Sequence, residues 1–342
     1  MNNYAYLNAR VSILASYLLS ETRLIALLNQ PLGSFKEDLG NDLEDLFTEK
    51  TVDHNLIEQA WLMKMLADFQ VLVRPLAGPA RELLMYWFHK GDIANLKTIV
   101  RGKIAGLSAD EISAQLLELG ALTALPLEQL LRTEDVSELL RRLEPSRYGT
   151  LARAARRVFE KDHQLYSLDA AIDRHYLLGF VQRVKALDTL QRQHLAPLIG
   201  MFMDRYNLLW LLRYRFAYHL SAAETYYLLV PTSYRLNRSR LQQLVEFNSL
   251  PEVIAHLPEP LKNLLDETES TFTVDQQLTK ETRRIAQSTL SLHSFTLAKA
   301  FAYILLREME MRRVMAILKG KRLNLNKKLI SVAAESSSVL LV

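Results

Sequence analysis

Asp92-Ile93-Ala94-Asn95-Leu96-Lys97-Thr98-Ile99-Val100-Arg101-Gly102-Lys103 is the stretch on which the fold turns, because the chain repeats it twice more. Asp204-Arg205-Tyr206-Asn207-Leu208 leads into Leu212-Arg213-Tyr214-Arg215, and Glu310-Met311-Arg312-Arg313-Val314 leads into Leu318-Lys319-Gly320-Lys321. From Arg101 to Arg213 is 112 residues and from Arg213 to Lys319 is 106, each close to a third of the 342-residue chain. A period of that size points to one supersecondary unit copied and diverged.

The register extends both ways from this block. Upstream, Val52-Asp53-x-x-Leu56, Leu168-Asp169-x-x-Ile172 and Val274-Asp275-x-x-Leu278 share a pattern. Asp53 is predicted to cap a helix reaching to Val73, where Arg74-Pro75 stops it, and Asp169 and Asp275 are expected to cap its counterparts. Downstream, Ser108 with Glu111 and Ser221 with Glu224 are capping-box pairs, each opening a short helix that two more should follow. Glu138 to Leu143 matches Glu252 to Leu257, whereas the third copy runs out soon after Leu329. The copies divide the chain at 1–145, 146–258 and 259–342.

The rest of the pattern is helical. Leu7, Val11, Leu14, Ala15, Leu18 and Leu19 fall on one stripe, and the helix is expected to continue through Leu24 to Leu28 until Pro31-Leu32-Gly33-Ser34. Ser34 and Glu37 form a further capping-box pattern. Leu125-Pro126, Val230-Pro231 and Leu257-Pro258-Glu259-Pro260 read as inter-helix joints, and Ser336 to Val342 as a frayed tail. Only 10 Pro and 11 Gly occur, and no window sustains period-two alternation, so the fold class is all-α.

Composition narrows the function. With no cysteine, disulfides and thiolate chemistry are excluded. The opening residues carry Asn8 and Arg10 where a secretory signal would be apolar, and no apolar run approaches the ~20 residues of a membrane span. The net charge of +4 is mild but uneven: acids crowd residues 36–58 and bases residues 307–328, as solvated faces or as surfaces that steer a charged partner.

Gly102-Lys103 and Gly320-Lys321 lack both the earlier glycine and the following Ser or Thr of a phosphate loop. No two of the eight histidines are three or four residues apart, so no helical pair could grip zinc. No nucleophile setting, metal site or cofactor motif is expected. Tyr206, Trp210 and Tyr214 interleave with Arg213 and Arg215 in a way that could stack nucleobases, but their helical spacing favours packing. Asp92 with Asn95, and Asp204 with Asn207, lie one turn apart and are expected to make cap-like or inter-helix hydrogen bonds. The bases nine residues further on face the other side of the helix. Arg101, Lys103, Arg213, Arg215, Lys319 and Lys321 are therefore the candidate partner contacts.

Tyr4-x-Tyr6-x-x-Ala9-Arg10-Val11, the Asp92 to Lys103 block and Glu308-x-Glu310-Met311-Arg312-Arg313-x-x-x-Ile317-x-x-Gly320-Lys321, in this order and spacing, resemble the C subunit of the V/A-type ATPase/ATP synthase, known as the d subunit in the eukaryotic vacuolar enzyme. The resemblance spans nearly the whole chain. Glu310 and Arg313 depart from Asp and Asn, and Tyr214 stands in place of a glycine. It implies a funnel-like body of three similar helical modules, peripheral on the cytoplasmic face of the membrane. One side would rest on the proteolipid ring and the other receive the central shaft made of the D and F subunits. Such a protein performs no chemistry: it transmits torque between the ATP-handling head and ion transfer. A helical-repeat scaffold and a nucleic-acid-binding repeat are the alternatives.

Overall fold

The computed structural model describes residues 2–30, 47–48, 51–52, 54–232 and 234–335. Three long helical hairpins dominate it. The first pairs α3 (His54–Val73) with α4 (Gly78–Ile104). The second pairs α9 (Leu165–Lys185) with α10 (Thr189–Leu212), which Arg213–Ala217 extends as a π-helical turn. The third pairs α15 (Thr271–Leu292) with α16 (Leu297–Arg322). Around them stand α1 (Asn2–Ala15), α2 (Glu21–Asn29), α5 (Ala109–Ser113), α6 (Leu127–Leu131), α7 (Val136–Leu143) and α8 (Gly149–Asp162). Then come α11 (Ala222–Leu228), α12 (Arg238–Leu244), α13 (Leu250–Ala255), α14 (Leu261–Leu265) and α17 (Lys327–Glu335). Strand pairing among the described residues is confined to a two-residue hairpin, Phe47–Thr48 with Thr51–Val52, and an isolated bridge between Thr232 and Asn237. The protein is all-α.

Local chemistry sets the helix ends. Ser108 and Ser221 form the expected capping boxes with Glu111 and Glu224, which fixes the starts of α5 and α11. Asp188 accepts from the Gln191 N–H at 2.9 Å and Thr296 from the Lys299 N–H at 3.3 Å, starting the second helix of two hairpins. Each of the three long second helices then ends alike. Gly106, His219 and Asn324 turn left-handed, at φ 71°, 55° and 52°. The next N–H donates back: Leu107 to the Gly102 carbonyl, Leu220 to Tyr214 and Leu325 to Gly320. Glycine at 102 and 320 answers to packing, since an added Cβ would lie 2.4 Å from Ile112 Cγ1 in α5 and 2.6 Å from Ile330 Cγ1 in α17.

Two readings of the sequence need correction. The N-terminal stripe is not one helix: α1 stops at Ala15, and Ser20 starts α2 by accepting from the Arg23 N–H. Asp169 and Asp275 are not caps, because they lie inside α9 and α15, whose N-cap residues are Gln164 and Ser270. Each carboxylate is instead spent across a helix–helix contact. Arg101 meets Asp169 at 2.6 Å, and Arg205 pairs with Asp275. The Ser34/Glu37 pattern, the Asp53 cap, nearly all of the acidic run and the tail after Glu335 fall outside the described residues.

The hairpins contact one another in a cycle. The first helix of each packs on the second helix of the one before: α9 on α4, α15 on α10, and α3 on α16, so the last returns to the first. The second helices therefore have little solvent-facing surface, and α16 is buried on most of its positions from Leu297 to Leu318. At the centre the Trp87 ring lies 5.2, 5.1 and 4.8 Å from those of Phe180, Phe202 and Phe301, tying α4, α9, α10 and α16 together. Each such fully buried aromatic contributes about 3 kcal/mol. The chain's beginning closes against its end: α1 packs on α16 and α3, and α2 on α16 and α17.

Candidate functional site

The recurring acidic position sits buried on each central helix and holds a loop. Asp92 accepts from Thr123 Oγ1 at 2.6 Å, the Ala124 N–H at 2.9 Å and Tyr148 Oη at 2.5 Å. Asp204 accepts from the Leu236 N–H at 3.0 Å. The shift that carries Asp92 to Asp204 also carries Ala124 to Leu236, so the same bond is made twice. In the third copy Glu310 makes it with the Leu19 N–H, from the far end of the sequence. Burial raises the Asp204 carboxyl to about 6, against the opposing pull of the Leu236 N–H and Arg235. Glu310 is also raised, by burial first, while Arg307 and the Leu19 N–H act the other way.

The asparagine one turn on clamps a second backbone point. Asn95 donates to the Leu117 carbonyl at 2.9 Å and accepts its N–H at 2.7 Å. Asn207 treats Val230 the same way, with both bonds at 2.9 Å. Arg313, in the third copy, forms instead a two-pronged pair with the Glu21 carboxylate at 2.6 and 2.8 Å. That bond, ahead of the opposing effect of partial burial, lowers the Glu21 carboxyl. Most of these polar atoms are taken up by structure; among them Asp204 Oδ2, which has Arg235 at 3.7 Å, and Arg313 Nε are buried without a hydrogen bond.

The six candidate bases divide in two. Arg101, Arg213 and Lys319 are exposed, and only Arg101 has an ion-pair partner among the described residues, Asp169. Two residues later the side chains turn inward onto carbonyl oxygens. Lys103 donates to the Leu131 carbonyl at 2.7 Å and to Thr133, at the end of α6. Arg215 donates to the Leu220 carbonyl at 2.6 Å and to Asn248 Oδ1 at 3.0 Å. Lys321 donates to the Leu28 carbonyl at 3.0 Å and to Gln30, at the end of α2. A cation on the terminal carbonyls of a helix satisfies acceptors that have no partner within it. Sequence alone did not single out Asp169, Asp275 and Glu21 for bridging, although two of them belong to the repeated pattern.

Electrostatics of the core follow the same helices. Lys97 and Asp173 meet at 2.9 Å with both side chains buried, and burial raises the Asp173 carboxyl despite Lys97. Lys90 pairs with Glu308, whose other oxygen accepts from Trp87 Nε1 at 3.0 Å. Burial lowers Lys90 to about 8, with Glu308 pulling the other way. The basic run is thus no simple solvated face, since Arg307 and Arg313 are buried and paired with Glu310 and Glu21. Tyr206, Trp210 and Tyr214 are buried against one another, which removes them as a base-stacking platform. His194 and His293 approach at 3.0 Å between Nδ1 atoms, but no group of three or more possible metal ligands exists among the described residues. Nor is any helix among them long and apolar enough to cross a membrane.

The recurring polar residues of this all-α chain hold its own loops and helix ends. The model of the ATP synthase (C/AC39) subunit family matches residues 7–332, and the chain belongs to that family, a part of the rotary enzyme that is not its catalytic one. It is 25% identical over 338 residues to the A-type ATP synthase C subunit of Methanocaldococcus jannaschii, covering 94% of this chain and 84% of that protein. The C subunit of Methanothermobacter thermautotrophicus is 28% identical over 333 residues, covering 93% and 84%. That of Methanococcoides burtonii is 24% identical over 341 residues, covering 96% and 93%.

Proposed function

We propose that this chain is the rotor adaptor of a V/A-type ATPase/ATP synthase. It joins the central shaft of the D and F subunits to the proteolipid ring, on the cytoplasmic side of the membrane, and passes torque between them. The observation that carries the reading is the cyclic order of contacts, α4 with α9, α10 with α15 and α16 with α3, in a chain matched to the family over residues 7–332. A closed cycle of contacts between similar hairpins supports the reading of a pseudo-threefold, funnel-like body, which would suit the capping of a rotationally symmetric ring. A transmitter of torque must also be stiff, and buried ion pairs between successive hairpins resist their sliding.

The modules divide near 145 and 258, with one reassignment: the N-terminal helices complete the third. Leu19 answers to Ala124 and Leu236, and α2 answers to α6 and α12. Contact with ring or shaft falls to the outward bases Arg101, Arg213 and Lys319, while Lys103, Arg215 and Lys321 brace the ends that carry them. The test is co-purification with detergent-solubilised ring and with the D–F shaft. Wild-type chain should bind both. The triple variant Arg101→Glu/Arg213→Glu/Lys319→Glu should stay helical and monomeric but lose one of them. Recovery of nucleic acid or of an unrelated complex in place of ATPase components would overturn the reading.

A further inference from the structure

A polar cleft of about 390 Å³ lies between the first and second hairpins, away from the candidate contact bases. Its wall is built by Tyr86 and His89 of α4, Arg147 just ahead of α8 and Thr150 in its first turn, and His175 and Arg183 of α9. Among the described residues, no aspartate or glutamate belongs to that lining. The nearby Asp92 is fully buried behind Tyr148, whose hydroxyl donates to it. Neither Arg147 nor Arg183 has a carboxylate partner among the described residues, although Arg101, Arg156, Arg205, Arg307 and Arg313 all do.

The cationic groups converge. Arg147 Nη1 lies 2.9 Å from His89 Nε2 and, as an obligate donor, makes that nitrogen the acceptor, which leaves the His89 proton on Nδ1. The Arg183 guanidinium stacks 3.8 Å from the centre of the Tyr86 ring and donates to the Gly179 carbonyl at 3.0 Å. His175 Nε2 lies 3.2 Å from Thr150 Oγ1. Burial, with the nearby Arg147 and Arg183 charges adding to it, holds His89 down to about 4, so the imidazole is neutral between two cations. Two guanidiniums without a carboxylate partner among the described residues, both lining one cleft of ligand size, offer an anion site.

We infer that this cleft binds a phosphate group, carried by inorganic phosphate or pyrophosphate or by a nucleotide. The donors come from α4, from the segment that leads into α8 and from α9, and two guanidiniums match the several oxygens and double charge of a phosphate better than a single carboxylate. Nothing in this assignment depends on the rotor reading above.

The experiment is calorimetric titration of the full chain with phosphate, pyrophosphate and ADP in turn, with the histidine ring resonances followed by NMR. Saturable one-to-one binding should shift the His89 and His175 signals. It should weaken about tenfold or more in Arg147→Ala and in Arg183→Gln, as loss of a charge-assisted bond requires. Arg132→Ala, at an exposed site elsewhere, should bind as wild type does. ADP binding more tightly than pyrophosphate identifies a nucleotide as the source, and equal affinity identifies the phosphate alone. Arg147 is exposed, so its variant should fold. Absence of saturation, unmoved histidine signals, or unchanged affinity in Arg147→Ala would each overturn the assignment.

Discussion

Replacing Lys321 by methionine should loosen the N-terminal helices specifically. The Lys321 ammonium donates to the Leu28 and Gln30 carbonyls, where α2 ends, and its partial burial lowers its pKa. Methionine keeps most of the stem and its packing but strands two carbonyl acceptors. Hydrogen bonds from a charged group contribute about 1.5–3 kcal/mol each, and water reaching a half-buried site replaces part of that. A net loss of about 2 kcal/mol follows, which corresponds to about a thirtyfold rise in local opening. Lys103→Met supplies the internal comparison, since Lys103 makes the equivalent bonds at the end of α6. Hydrogen–deuterium exchange read by mass spectrometry should therefore show faster exchange over residues 19–30 in Lys321→Met and over residues 127–133 in Lys103→Met. Faster exchange over residues 127–133 in both variants, or none over 19–30 in Lys321→Met, would refute the assignment of α2 to the third copy.

Other expectations concern buried charge. Asp204 is raised to about 6 from an ordinary value of 3.8, so its contribution favours the folded state below pH 4 and is lost as pH rises through 6. Asp204→Asn should remove that dependence and be more stable than wild type at pH 8, by up to about 3 kcal/mol, in urea melts at several pH values. An unchanged difference between pH 4 and pH 8 would contradict it. Glu308→Ala takes from Lys90 its buried counter-charge and should cost about 3–5 kcal/mol, whereas Lys90→Met with Glu308→Leu should recover part of that loss and not all of it, because Trp87 Nε1 still loses its acceptor. Equal losses in the single and double variants would show that shape, not charge, dominates there.

Much of the architecture was legible because it is local or periodic. The capping boxes at Ser108 and Ser221, the end of α3 at Val73 and the buried role of Asp92, Asn95, Asp204 and Asn207 all rest on short spacings. The errors came where a residue had a local and a distant option. Asp169 and Asp275 have the side chain of a cap, yet a guanidinium on the neighbouring hairpin offers a carboxylate more than a frayed first turn does.

Sequence by itself determined the helical class and the recurrence of one Asp/Glu-x-x-Asn/Arg pattern at three places, because periodicity and repetition are written residue by residue. Tertiary structure decided which bases face outward and how the ring of hairpins closes. Glu310 finds Leu19, and Lys321 finds Leu28, across nearly 300 residues of chain. Contacts of that separation leave no local pattern. They are made where α2 packs on α16 and α17.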